Sequence, residues 1–263
     1  MAAARPLVDC HAHIYLRSMP MSGEAWHAPP MDASAQDYLA TLDAHGVHFG
    51  VLAAASIYGD YNDYAMEAVR NHKRLRTTLI LSPHTDAYSL RRMRDEGAVG
   101  VRFQFRNVAE PPDLTSFDYR RLLRRVADLG MHVHLHDEGD RIARFIEPIE
   151  ASGARLVIDH FGRPTDPGSI GFEAVLRAVD RGATWVKASA AFRLKPPAMG
   201  VDLAAMLLQR VGPERLVWGS DWPFAAFEDN VTYQQTLDAF AFNVPDEAAR
   251  REMDRTALRL YFS

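Results

Sequence analysis

The chain has 263 residues, 48% hydrophobic and 24% charged, a balance that supplies one sizeable core and excludes a disordered or fibrous protein. Thirty Lys and Arg against 34 Asp and Glu give a net charge of −4, which excludes a global positive field for nucleic acid. The single cysteine, Cys10, excludes an internal disulfide framework and fits a reducing compartment. No apolar run reaches the roughly eighteen residues of a membrane helix, and Met1–Pro6 lacks the apolar core of a secretion leader. The expectation is a soluble cytoplasmic protein.

In chain order, apolar β-rich runs are predicted at Leu7–Tyr15, Phe49–Ser56, Leu75–Leu81, Ala98–Phe105, Met131–Asp137, Arg155–Phe161, Thr184–Ala190 and Arg215–Asp221. Amphipathic stretches with a period near 3.6 lie between them. Ser34–His45 carries Tyr38, Leu39, Leu42 and Ala44, and Phe117–Leu129 carries Leu122, Leu123, Val126 and Leu129. Glycines at 46, 97, 130, 153, 182 and 212 mark helix ends. Strands alternating with helices predict a parallel sheet of right-handed βαβ units. Eight units in one chain of this length predict a single α/β domain over residues 1–263, a closed (β/α)8 barrel; an open doubly wound sheet is the alternative. The tail Asp246–Tyr261 is expected to pack on the outside of the barrel, and the loop Leu16–Asp32 to cover its mouth.

Active sites of such barrels lie at the C-terminal ends of the strands, so the polar residues there matter most. The first strand ends in Asp9-Cys10-His11-Ala12-His13, whose two histidines share a face by strand parity and could bind one metal; alone, the pair is also compatible with a hydrogen-bonded strand end. The sixth ends in Asp159-His160-Phe161-Gly162-Arg163-Pro164 and the eighth in Ser220-Asp221-Trp222-Pro223. A carboxylate placed like Asp221 can ligate a metal or act as general base towards water, or merely cap a turn. His132, His134 and His136 share one face of the fifth strand. His132 reads as a core residue, His136 as a fourth metal ligand or substrate contact.

The 30 basic residues include only Lys73, Lys187 and Lys195, leaving 27 arginines. Arg102 and Arg106 belong to the end of the fourth strand, with Gln104 between them. Arg163 follows the sixth strand, and Arg193 follows the seventh on the parity of Lys187 and Ser189. Any one arginine could be a surface ion pair. Four at strand ends would repel one another without anions between them, and guanidinium matches carboxylate bidentately, so a substrate with one or two carboxylates is expected. No lysine on the fourth strand is available to bridge two metals. The chain has no glycine-rich phosphate loop and no Gly-x-Ser-x-Gly elbow.

The segments Val8–His13, Gly100–Phe103, Ile158–Pro164, Trp185–Ser189 and Glu214–Pro223 together resemble the amidohydrolase superfamily, in the branch of the 2-pyrone-4,6-dicarboxylate lactonase and the sugar-acid lactonases. The resemblance runs from Val8 to Tyr261. It implies a (β/α)8 barrel and hydrolysis of a carboxylated lactone. By motif it gives His11, His13 and His160 a role in polarising the carbonyl and makes Asp221 the group that activates water. It assigns Arg102, Arg163 and Arg193 to substrate carboxylates, with Arg106 closer to Arg102 than the pattern has it, and places Ser56 and Tyr58 in the pocket wall. His136 stands where the pyrone lactonase, which needs no divalent metal, has a tyrosine. Other members of the branch use one Zn, so a site of His11, His13, His136 and Asp221 is one expectation and metal-independent catalysis the other. The expected partner is a small anionic lactone, with neither nucleic acid nor membrane, and the barrel could pair as a homodimer. Lactone isomerisation, decarboxylation of an aromatic acid and a catalytically silent anion-binding barrel are the rival readings.

Overall fold

In the computed structural model, residues 5–263 are described; Met1–Ala4, part of the segment read against a leader, lie outside them. Eight parallel strands run in sheet order β1 to β8: β1 (Val8–Ala12), β2 (Phe49–Leu52), β3 (Leu75–Leu79), β4 (Ala98–Gln104), β5 (His132–His136), β6 (Arg155–Ile158), β7 (Thr184–Lys187) and β8 (Leu216–Val217). Each falls within a stretch the sequence marks as strand. The ring is completed just past β8, where Cys10 N–H donates to the Trp218 carbonyl over 2.9 Å and Asp221 N–H to the His11 carbonyl over 2.7 Å. A Cβ on Gly219 would lie 2.6 Å from His11 Cβ, so only glycine lets the chain after β8 come this close to β1.

Helices follow the strands: α1 (Ala35–His45), α2 (Asp63–Asn71), α3 (Ala87–Glu96), α4 (Phe117–Asp128), α5 (Ala143–Ala151), α6 (Ile170–Asp180), α7 (Met199–Val211), α8 (Tyr233–Asn243) and α9 (Glu247–Tyr261). Ser34 and Thr232 start α1 and α8 with reciprocal capping boxes, closed by Asp37 and Gln235, which satisfy amides that have no intrahelical partner. α4 buries Leu122, Leu123 and Val126 completely; each such side chain stabilises by about 1.5–3 kcal/mol. The main core lies between the helices and the outward faces of the strands, where Val133 and Leu135 of β5 and Leu156 and Ile158 of β6 are found.

The interior of the barrel has its own small cluster of Val8, Cys10, Val51, Val157 and Val217, closed by Ala257, Leu260 and Tyr261 of α9. The tail helix therefore does not lie on the outside of the barrel, as expected, but closes its N-terminal end. Its apolar side, Met253, Ala257, Leu260 and Tyr261, is buried, and an open barrel end offers it more apolar surface than the helical ring does. At the other end the loop 16–32 lies over the mouth as expected. It is pinned by Tyr15 pairing with Ala33, by Trp26 Nε1 donating to Ser56 Oγ over 3.3 Å and by His27 Nε2 2.6 Å from Glu228 Oε1. Among the described residues no helix is long and apolar enough to cross a membrane.

Candidate active site

The mouth is built by strained backbone. His160, Phe161, Arg163, Ala190 and Asp221 all have positive φ, between 43° and 66°, although none is glycine. Conformations of this kind cost on the order of 1–3 kcal/mol each and persist where the surroundings enforce them. They follow β6, β7 and β8 directly and turn His160 and Asp221 towards β1. On β1 the pairing with β2 shifts between Asp9 and Ala12. The irregularity lets neighbouring residues both face inward, Cys10 to the floor cluster and His11 to the site; bulges re-aim side chains in this way.

Asp221 is the meeting point. Its Oδ1 lies 3.3 Å from His13 Nε2, 3.6 Å from His11 Nε2 and 3.8 Å from His160 Nε2. Arg193 Nε donates to Oδ2. Burial alone would push this carboxyl up, but Arg193, His160, His13 and His11 together hold it well below the usual range. Burial pushes His11, His136 and His160 well below the ordinary histidine value, so all three are neutral at pH 7. His13 Nδ1 donates to the Ala53 carbonyl over 2.7 Å, which directs its Nε2 at Asp221.

Beneath Asp221 lies a layer that the sequence left without a role. Lys187, fully buried on β7, places Nζ 3.0 Å from His11 Nδ1 and 3.0 Å from His134 Nδ1. The same Nζ is 3.0 Å from Asp159 Oδ1, a charge contact poorly aligned for a hydrogen bond, since that oxygen has no hydrogen-bond partner. Arg102 Nε donates to the other Asp159 oxygen over 3.1 Å. Burial pulls Lys187 down while Asp159 holds it up; burial also opposes ionisation of Asp159, but Lys187, His11 and Arg102 keep it well below the usual carboxylate range. His11 Nδ1 faces both this ammonium and Asp159 Oδ1, the latter at 3.3 Å, and turns Nε2 towards Asp221. Strand parity placed Lys187 inward, but periodicity could not show which partners it would meet.

His11, His160 and Asp221 bring one donor atom each within 4.8 Å of one another. His13 and His136, expected as metal ligands with His11 and Asp221, are outside that group. His13 Nδ1 is taken by the Ala53 carbonyl, which leaves Nε2 facing Asp221, and His136 Nδ1 faces Arg102 NH2 at 3.2 Å. Arg193 holds Asp221 Oδ2 while Oδ1 faces the imidazole nitrogens, so His11, His160 and Asp221 are the residues that would hold a divalent cation.

The expected substrate arginines separate into two kinds. Arg102 is buried, with its guanidinium on Asp159, the Ala54 carbonyl (2.7 Å) and His136; it braces the wall. Arg193 is held by Asp221 and by the Ala225 carbonyl at 3.1 Å. Arg106 and Arg163 face outward. Arg163 is pushed down to about 10 by burial and by neighbouring Arg106. All four line one pocket with His13, His136, His160, Asp221 and Ser56, together with Tyr15, Trp26 and Gln104. Tyr58, expected in this wall, is not part of it. The short turn Ser56–Tyr58 sends its ring under the loop 16–32, where Oη donates to the Leu16 carbonyl over 3.3 Å. A separate cavity of about 280 Å³ beside α8 is lined largely by apolar side chains and by no ionised group.

The amidohydrolase family model matches residues 8–262. The chain is 27% identical to a 4-sulfomuconolactone hydrolase of Hydrogenophaga intermedia, covering 84% of this chain and 76% of that protein. It is also 27% identical to a 2-pyrone-4,6-dicarboxylate hydrolase of Comamonas testosteroni, over 97% and 90%. Among solved structures, a putative 2-pyrone-4,6-dicarboxylic acid hydrolase from Pseudomonas putida is 33% identical, covers 98% of both chains and superposes with a TM-score of 0.89.

Proposed function

This chain belongs to the amidohydrolase family, and from that premise we propose that it hydrolyses a lactone bearing at least one carboxylate. The observation that carries the reading is Asp221, a buried carboxylate facing three imidazole nitrogens beside a wall of arginines. The arginines would fix the anionic ring, turning binding energy into orientation. His11, His13 and His160, whose Nε2 atoms face Asp221, would stabilise the oxyanion that develops on the lactone carbonyl. Asp221 would take a proton from water as the water oxygen bonds to the acyl carbon. When the ring C–O bond breaks, Asp221 would return that proton to the leaving oxygen.

Arg193 gives this step a dependence on substrate. While it holds Asp221 the carboxylate is a weak base. A substrate carboxylate that draws Arg193 away would raise the basicity of Asp221 when the substrate is in place. His11, His160 and Asp221 would hold a divalent cation, which would supply Lewis-acid polarisation of the carbonyl.

The test is turnover of 2-pyrone-4,6-dicarboxylate by chelator-treated protein in heavy-oxygen water. The expected result is label in the product carboxylate, and at least a 10³-fold loss of kcat in Asp221→Asn with the fold intact, on the order of 4 kcal/mol or more of barrier. Unlabelled product would mean isomerisation instead. Activity that disappears on chelation and returns with Zn would mean that His11, His160 and Asp221 hold the metal during turnover.

A further inference from the structure

Glu138 follows β5 at the rim of the mouth. Its Oε2 accepts from Arg106 Nε over 2.7 Å and lies 3.3 Å from Arg163 NH2. It thus stands where an incoming carboxylate would meet the two arginines that Asp159 and Asp221 do not already hold. Those arginines also form a partition. The chamber at Asp221 has only about 40 Å³ of free space, far below the roughly 300 Å³ at which ligand pockets begin. Outside lies a groove of about 330 Å³ lined by Glu138, Thr165 and Lys195. Arg106, Arg163 and Arg193 line both spaces. Glu138 ties two of these three together, and Glu138 itself is 43% exposed, free to swing into solvent.

We infer that Glu138 is an exchangeable counter-ion that neutralises Arg106 and Arg163 when the site is empty, and that a carboxylate of the substrate displaces it from them. The inference rests on the reading of the site as one for a carboxylated lactone. A ligand pays for displacing Glu138 out of its own affinity, because a competing internal anion lowers the fraction of binding-competent protein. The preference for anionic over neutral lactones therefore resides at Arg106 and Arg163, several ångströms of side chain away from the reacting carbonyl.

The experiment is calorimetric titration of the full chain with isophthalate, an unreactive planar dicarboxylate, in wild type and in Glu138→Gln. The neutral amide keeps the shape of Glu138 and removes its hold. The expected result is a Kd about three- to tenfold lower in the variant, within the usual range of a coupling between two sites, with kcat/KM for the neutral lactone dihydrocoumarin unchanged. Equal or weaker isophthalate binding in Glu138→Gln would mean that Glu138 positions the arginines and is not exchanged, and would overturn the inference. Absence of isophthalate binding to both proteins, or a parallel rise in activity on the neutral lactone, would overturn it too. Because the titration needs no turnover, failure of the hydrolase reading and failure of the Glu138 inference give different results.

Discussion

Two layers of the barrel interior, one above the other, are built on opposite principles. The floor is apolar: Val8, Cys10, Val51, Val157 and Val217 pack on Tyr261 of α9, as barrel interiors usually do. The layer above is ionised: Lys187, Asp159 and Arg102 sit among His11 and His134, all buried. On β6 the change takes two residues, from Val157 to Asp159. The floor is held by area removed from water and would tolerate other residues of similar volume. The upper layer is held by pairing. Buried ion pairs add little net stability, and removing one partner is costly, so this layer sets the charge beneath Asp221.

The largest expected effect is acid sensitivity. His11, His132, His134, His136 and His160 are all held below the ordinary histidine value by burial, His132 down to about 3. The unfolded chain takes up these protons near pH 6.5. The stability they contribute is therefore complete above that pH and is lost as pH falls towards the folded values, by about 1.4 kcal/mol per pH unit for each histidine. Asp9 and Asp254, which burial raises, Asp254 to about 6, oppose the trend with two groups. Urea midpoints should drop steeply between pH 6.5 and 5. A flat profile would mean that the upper layer takes up protons without unfolding.

The next effect sharpens the contrast. Lys187→Met leaves Asp159 short of a cation and should cost about 3–5 kcal/mol in urea denaturation, with part of the loss recovered in Lys187→Met/Asp159→Asn. A cost near zero would show that Asp159 is satisfied by Arg102 alone. The smallest belongs to the floor. Val157→Ala should cost about 1–3 kcal/mol and leave KM for the lactone unchanged, whereas a change in KM would show that the two layers are mechanically coupled.

How much of this is legible in the sequence follows from the same contrast. Eight strands and the inward face of His132, His134 and His136 follow from alternation, and β5 is regular enough to obey it. The upper layer depends on partners from distant strands: Lys187 lies 176 positions from His11 and 53 from His134, and no local pattern encodes that meeting. Alternation also fails at β1, where the shifted register turns Cys10 and His11 both inward. His160, Arg163 and Asp221 are recognisable by motif, but their directions are set by positive-φ backbone that β-rich composition does not reveal. Tyr58 illustrates the limit, since one short turn carries it out of the pocket wall while Ser56 stays. Glu138 has a signal in retrospect: an acidic residue just beyond a strand end in a mouth otherwise supplied with arginines.

Asp9 has a consequence for assembly. It accepts hydrogen bonds from the Ser220 amide (2.8 Å), the Ser220 hydroxyl (2.6 Å) and Tyr233 Oη (3.1 Å), across 211 and 224 positions of chain. Such long-range closure is slow, because the entropy of bringing distant segments together is lost before the contact forms. During synthesis the first strand must wait for nearly the entire chain before its carboxylate finds these partners. Asp221 is the residue after Ser220, so the same event that shuts the barrel brings Asp221 to its histidines. An incomplete chain, however compact, holds His11, His13 and His160 without the carboxylate they face.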